Sequence, residues 1–83
     1  TERLFSVAFP EAPGALMRFL EVLGTRWNIT LFHYRTDGAD YGRILTAFEA
    51  GPDDDELTEH MDRLGYAYHE ETDDPSARFF LAR

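Results

Sequence analysis

Hydrophobic and polar positions along this chain switch between two periods, and each switch predicts an element. From Leu4 to Phe9 they alternate, with Phe5, Val7 and Phe9 on one side and Leu4, Ser6 and Ala8 on the other, as in a strand. Pro10-Glu11-Ala12-Pro13-Gly14 interrupts the pattern, because the prolines fix φ and withhold N–H donors. From Ala15 to Leu23 the period is helical, and Leu16, Phe19, Leu20 and Leu23 form one apolar stripe. Gly24 then stands where a left-handed residue closes a helix. Trp27 to Arg35 is rich in β-branched and aromatic residues and reads as a second strand. Asp37-Gly38-Ala39-Asp40 is turn chemistry, and Tyr41 to Glu49 is a third strand, so 27–49 is expected to form a hairpin.

Gly51-Pro52 breaks the chain again. Asp53 to Glu56 opens a second helix, with acids at its electropositive end. Leu57, Met61 and Leu64 recur at helical spacing, and Gly65 closes the helix. Tyr66 to Glu70 is a fourth strand. Asp73-Asp74-Pro75 resembles a helix cap, and Ser76 to Leu81 fits a short helical turn or an extended tail.

The order βαββαβ contains two βαβ halves, since each helix ends in Leu-Gly and leads into an aromatic-first strand (Trp27, Tyr66). Right-handed crossovers interleave the halves. The expected fold is α+β and ferredoxin-like, a four-stranded antiparallel sheet with two helices on one face. The other face is then uncovered. With seven Phe and four Tyr in the chain, mostly on strands, it is expected to be aromatic and to pack against another copy or domain. In the second strand, Ile29 and Leu31 are expected under the helices, and Phe32 and Tyr34 on the open face.

Composition removes several function classes. The 83 residues suit one domain, 1–83, and there is no cysteine for disulfides or thiolate metal sites. A net charge of −8 opposes binding to nucleic acid and to anionic membranes. Every basic residue is arginine. Pyridoxal-phosphate and Schiff-base chemistry need a lysine amine, as does P-loop phosphate binding, so this chain performs none of them alone. No apolar run approaches the roughly 18 residues of a membrane span. No signal-peptide core is present, so a cytoplasmic protein is expected. Thr1 in place of Met suggests a piece of a longer chain.

Candidate chemistry concentrates in the 10–16 loop. A glycine-containing turn into a helix leaves backbone N–H groups at a positive helix end, which suits the carboxylate of an amino acid. The alternative is that Pro and Gly only shape the turn. Asn28, expected beside this loop, offers an amide to the same ligand or simply closes its own turn. His33, His60 and His69 lack a metal spacing, and Asp53 to Glu56 lacks the spaced calcium pattern. No serine or threonine sits in a nucleophile motif, so no catalytic residue is assigned. Arg35 and Arg43 lie on adjacent strands, with Asp40, Glu49 or a neighbouring domain as expected partners.

Pro13-Gly14-Ala15-Leu16, Leu23-Gly24 and Trp27-Asn28-Ile29 resemble an ACT-type amino-acid-sensing domain. Phe9 to Leu16, Asn28 to Arg35, Asp40-Tyr41-Gly42-Arg43 and Arg78-Phe79-Phe80-Leu81 are similar to the C-terminal regulatory region of biosynthetic threonine dehydratases. The resemblance covers residues 3–82. It implies a pyridoxal-phosphate enzyme that converts L-threonine to 2-oxobutanoate and ammonia, with the cofactor on a catalytic domain outside this chain. It implies inhibition by isoleucine, opposed by valine, and many members carry two ACT-like repeats. On this basis Gly14, Ala15, Leu16 and Asn28 are expected at the effector's charged end. Leu16, Leu20 and Leu23, or Phe32 and Tyr34, are expected around its branched side chain. The expected partners are the effectors, the catalytic domain, a second repeat and another copy through the open sheet face. A freestanding ligand-binding domain and a purely oligomerising module are the competing readings.

Overall fold

The computed structural model describes residues 2–36 and 41–73. Its elements are β1 (Glu2–Pro10), α1 (Ala15–Leu23), β2 (Ile29–Thr36), β3 (Tyr41–Glu49), α2 (Asp55–Leu64) and β4 (Ala67–Glu70). They form one antiparallel sheet in the order β2-β3-β1-β4. The expected βαββαβ plan is therefore the observed one. The turn at 37–40 and the segment 76–81 lie outside the described residues.

The core fills the space between one sheet face and both helices. Phe5, Val7 and Phe9 of β1 and Ile44 and Phe48 of β3 meet Phe19 and Leu23 of α1 and Leu57, Met61 and Leu64 of α2. Phe5, Phe19, Phe48, Leu23 and Leu57 are wholly buried, and each such side chain contributes about 1.5–3 kcal/mol by leaving water. Phe5 meets Phe48 and Tyr68 edge-on, at centroid distances of 6.1 and 6.0 Å.

Three expectations change. Phe32 and Tyr34 lie on the helix side, Phe32 beside Phe19 and Tyr34 beside Phe9. Ile29 is on that side as expected, but Leu31 is not: it pairs with Ala47, while Ile29 pairs with Phe48. A register shift between Ile29 and Leu31 inserts Thr30. Such a bulge reverses the alternation on which the assignment rested. Second, the face away from the helices is not aromatic. Among the described residues it presents Ser6, Ala8, Leu31, His33, Arg35, Arg43 and Leu45, with Tyr41 at its margin. At its other end Leu4 and Ala47 face each other and are fully buried. Third, Gly24 is right-handed, at φ −71°. It is glycine for space, since a Cβ there would come within 2.7 Å of the Leu20 carbonyl oxygen. Gly65 does close α2 in the left-handed conformation.

β1 and β2 both run antiparallel to β3, so they are parallel to each other. The two ends of the sheet are thereby distinct. One collects the loop from β1 to α1 and the end of β2. The other collects the start of β1, the turn from α1 to β2, the β3–α2 loop and the end of β4.

Candidate functional site

The β1–α1 loop leaves the sheet where Pro10 pairs with Tyr41. Gly14, the residue before α1, has φ 83° and ψ −8°, a conformation that side-chain-bearing residues rarely adopt. It offers no side-chain cap, and the first turn of α1 contains no acid. Ala15 N–H donates back to Ala12 O at 3.1 Å and Arg18 N–H to Gly14 O at 2.9 Å, fixing the turn. The positive end of the helix dipole is therefore not neutralised by α1 itself.

Beside this turn lies a cavity of about 370 Å³, lined by Phe9, Glu11, Pro13, Gly14, Leu16, Met17 and Tyr34 among others. The Tyr34 hydroxyl donates to both Glu11 carboxylate oxygens, at 2.7 and 2.9 Å. That bond raises the Tyr34 pKa, because ionising the phenol would set two anions together. The Tyr34 ring lies 5.7 Å from that of Phe9. Gly42, opposite Phe9 on β3, leaves room for this group: a Cβ there would approach Glu11 Oε1 to 2.5 Å and the Phe9 ring to 2.9 Å. Met17 is 59% and Tyr34 45% exposed, so the cavity combines apolar surface, a carboxylate and a helix N-terminus.

Of the residues singled out in the sequence, Gly14, Leu16 and Tyr34 come together here. Ala15 and Leu23 do not, being buried in the core at 6% and 0% exposure. Leu20 is half-buried against the core, further along α1. Phe32 packs on Phe19 and does not line the cavity. Asn28 is at the opposite end of the sheet, because parallel β1 and β2 set the start of β2 beside the start of β1. Its amide donates to Glu49 Oε1 at 2.6 Å, and its carbonyl accepts from Glu49 N–H at 2.9 Å. The expectation that Asn28 lies beside the Gly14 loop is thus corrected. Phe9, Glu11 and Met17 had not been singled out as ligand-contacting residues. Met17 carries a signal, an apolar side chain off the buried stripe of α1.

The far end of the sheet is tied by polar bonds. Arg3, 6% exposed, donates from Nε and Nη2 to the two oxygens of Glu70, at 2.9 and 2.8 Å. Its Nη1 donates to Asp54 O at 3.0 Å, where α2 begins. Arg3 and Thr72 hold the Glu70 carboxyl below its ordinary pKa by donating to it, Arg3 most strongly. Trp27, expected to open the second strand, instead sits in the turn before it, and its Nε1 donates to Asp54 Oδ2 at 2.9 Å. Asp55 and Glu56 occupy the first turn of α2, as the acidic run implied. The His60 ring meets Trp27 edge-on at 5.2 Å. Among the described residues no group of three or more His, Asp or Glu side chains is placed to hold a metal ion. No described helix is long and apolar enough to cross a membrane.

Comparison with known proteins agrees with this architecture. The ACT domain of a GTP pyrophosphokinase from Chlorobium tepidum superposes with a TM-score of 0.62 at 16% identity, covering 83% of this chain and 95% of that one. At that identity the likeness concerns the fold. The biosynthetic L-threonine dehydratase IlvA of Escherichia coli K12 is 58% identical over 81 residues, which are 98% of this chain and 16% of the relative. The mitochondrial threonine dehydratase of Saccharomyces cerevisiae is 47% identical over 81 residues, 96% of this chain and 14% of the relative. The chain thus spans about one sixth of the length of these curated relatives. The family model for the C-terminal regulatory domain of threonine dehydratase matches residues 1–81. With the fold, the loop and this match in place, the chain belongs to the family of threonine dehydratase C-terminal regulatory domains.

Proposed function

We propose that this domain is the effector-sensing part of a pyridoxal-phosphate L-threonine dehydratase, which converts L-threonine to 2-oxobutanoate and ammonia, and that it senses isoleucine with valine opposing. The reading rests on family membership and on the cavity beside Gly14. The cofactor does not fit residues 1–83, which contain no lysine to bind it, so it belongs to another part of a longer chain. This domain contributes recognition and coupling.

The geometry at the loop supports an amino-acid ligand. The uncapped start of α1 suits an α-carboxylate. The Glu11 carboxylate, already an acceptor for Tyr34, suits an ammonium group. Leu16, Met17, Phe9 and Pro13 supply apolar surface for a branched side chain. Isoleucine exceeds valine by one CH₂, worth about 0.8 kcal/mol or roughly fourfold in affinity when buried. Regulation then follows from linkage: an effector shifts activity only by as much as it prefers one state of the whole protein, typically about 1–3 kcal/mol.

The observation that carries the proposal is the meeting of Gly14, Glu11, Met17 and Tyr34 around one cavity. Calorimetry with isoleucine on the full-length protein tests it. Binding heat is expected from the unaltered protein and is expected to vanish with Met17→Asp, which sets a second carboxylate against the ligand's apolar part. Undiminished binding by a folded Met17→Asp protein overturns the assignment.

A further inference from the structure

The chain has no cysteine, so the thioethers of Met17 and Met61 are its only sulfur atoms. The fold treats the two oppositely. Met61, on the inward side of α2, is 2% exposed and packs in the core. Met17 sits on α1 between the buried residues Ala15 and Phe19 and is 59% exposed. It lies outside the core cluster and lines the Gly14 cavity with Phe9, Pro13, Leu16 and Tyr34. Its sulfur is therefore within reach of solutes, and its apolar surface is part of the cavity wall.

A thioether that a peroxide can reach is oxidised to the sulfoxide. A sulfur lone pair attacks one peroxide oxygen, and the O–O bond breaks as the S–O bond forms. The departing hydroxide takes the proton from the new S–OH group and leaves as water. Sulfur loses two electrons and the peroxide gains them. The product is polar and chiral where the thioether was apolar, and sulfoxide reductases return it to the thioether. At Met17 this sets a strongly hydrated S–O dipole among the apolar groups of Phe9, Pro13 and Leu16. A hydrocarbon side chain laid against it strips that water and supplies no hydrogen bond in exchange, which costs binding energy. At Met61 the same reaction requires the core to open first.

We infer that Met17 is a redox-sensitive modification site: a peroxide converts its thioether to the sulfoxide, which weakens effector binding in the Gly14 cavity, and reduction restores it. The inference rests on the effector reading of that cavity. It gives the site a second input, so that oxidant as well as amino acid sets how strongly the proposed enzyme is restrained. Because Met17 stands outside the core, the modification acts on the cavity and leaves the packing of sheet and helices in place.

Brief treatment of the full-length protein with hydrogen peroxide, followed by its removal, tests the inference. Peptide mass spectrometry reads the oxygen gained at Met17 and at Met61, and calorimetry reads isoleucine binding. Met17 is expected to be oxidised while Met61 is not, which also shows that the fold has stayed closed. The isoleucine dissociation constant is expected to rise about fivefold or more and to return after treatment with methionine sulfoxide reductase. In Met17→Leu, which keeps an apolar side chain without sulfur, the same exposure is expected to leave isoleucine binding as it was before the peroxide. Full oxidation at Met17 with unaltered isoleucine binding overturns the inference. So does an equal loss of binding in Met17→Leu, or oxidation of Met61 as fast as Met17. The Met17→Asp variant separates this from the effector reading. If isoleucine binds it undiminished, the cavity is not the effector site and both fall. If Met17→Asp abolishes binding but the sulfoxide does not weaken it, the redox inference alone falls.

Discussion

The end of the sheet where β1 starts and the end where it finishes secure their loops differently. At the first, Arg3 bonds to Glu70 on β4 and to the backbone before α2, Trp27 reaches Asp54, and Asn28 holds Glu49. Three separate connections are tied there by charge-assisted or doubly made bonds. At the second, the β1–α1 loop is held by Tyr34 on Glu11 and by a long contact of 3.5 Å from the Tyr66 hydroxyl to Ala15 O. Met17 and Tyr34 remain about half exposed. Bonds that satisfy one another inside the chain leave little for a ligand, whereas an uncapped helix start beside exposed apolar surface leaves a good deal. The first end serves the fold, and the second is where we propose that the effector binds.

The largest effect expected from this contrast is at Arg3. Arg3→Met leaves the Glu70 carboxylate without its main partner and frees the α2 start. A loss of about 2–4 kcal/mol is expected in chemical denaturation. The Glu70 side chain is 34% exposed, which keeps the loss below that of a sealed pair. A loss no larger than that of an exposed pair, about 0–1 kcal/mol, would remove the distinction between the two ends. The contribution depends on pH in a fixed direction. Because the folded pKa of Glu70 is depressed, its stabilisation is complete above the unfolded value, about 4.3, and disappears as pH falls through the folded value. Glu70→Gln should flatten that part of the acid limb.

Next is Thr46, at mid-sheet between the two ends. It is fully buried, and among the described residues its hydroxyl has no hydrogen-bond partner. Thr46→Val keeps the shape and removes the unpaired polar group, so a gain of about 1 kcal/mol is expected, read as a raised melting temperature. A loss would mean that the hydroxyl serves the core in some other way.

Tyr68 ties β4 to α2 through a bond of 2.6 Å to Asp62. That bond, with burial second, pushes its pKa up to about 12. A raised folded value means that stability is whole below the unfolded pKa near 10 and is lost as pH climbs towards 12. Tyr68→Phe should lower stability at neutral pH slightly and remove this part of the alkaline decline. An unchanged alkaline limb would contradict the bond.

The smallest expected effect on folding is at the Gly14 end. Tyr34→Phe breaks the bond to Glu11 at an exposed position and should move the melting temperature by no more than roughly 2 °C. A larger drop would mean that this end, too, is committed to the fold.

The element order, the bounds of α1 and β3 and the helix-side core were legible from period alone, because burial against one face imposes the period. Leu31 was misplaced because a single inserted residue, Thr30, inverts a period-two pattern without leaving a mark in composition. Trp27 read as a strand residue from its propensity, although its indole N–H is spent on Asp54 across the chain. The position of Asn28 was within reach of topology, since β1 and β2 must run parallel in a split βαβ fold, but adjacency in the motif was mistaken for adjacency in space. Gly14 and Leu16 were singled out through the loop's turn chemistry, and both line the cavity. Glu11 and Met17 acquire meaning only when Tyr34 and Gly42, distant in sequence, close around them.

The most direct test compares the two ends by isoleucine inhibition of the full-length protein, with Met17→Ala at one end and Asn28→Ala at the other. Losing the Met17 contact should raise the half-inhibitory isoleucine concentration roughly 5–30-fold, the equivalent of about 1–2 kcal/mol of apolar burial. Asn28→Ala should shift it less than about twofold, within the scatter expected for a site with no shared contacts. Unaltered inhibition with Met17→Ala, or a larger shift with Asn28→Ala, would contradict the placement of the effector at the Gly14 end.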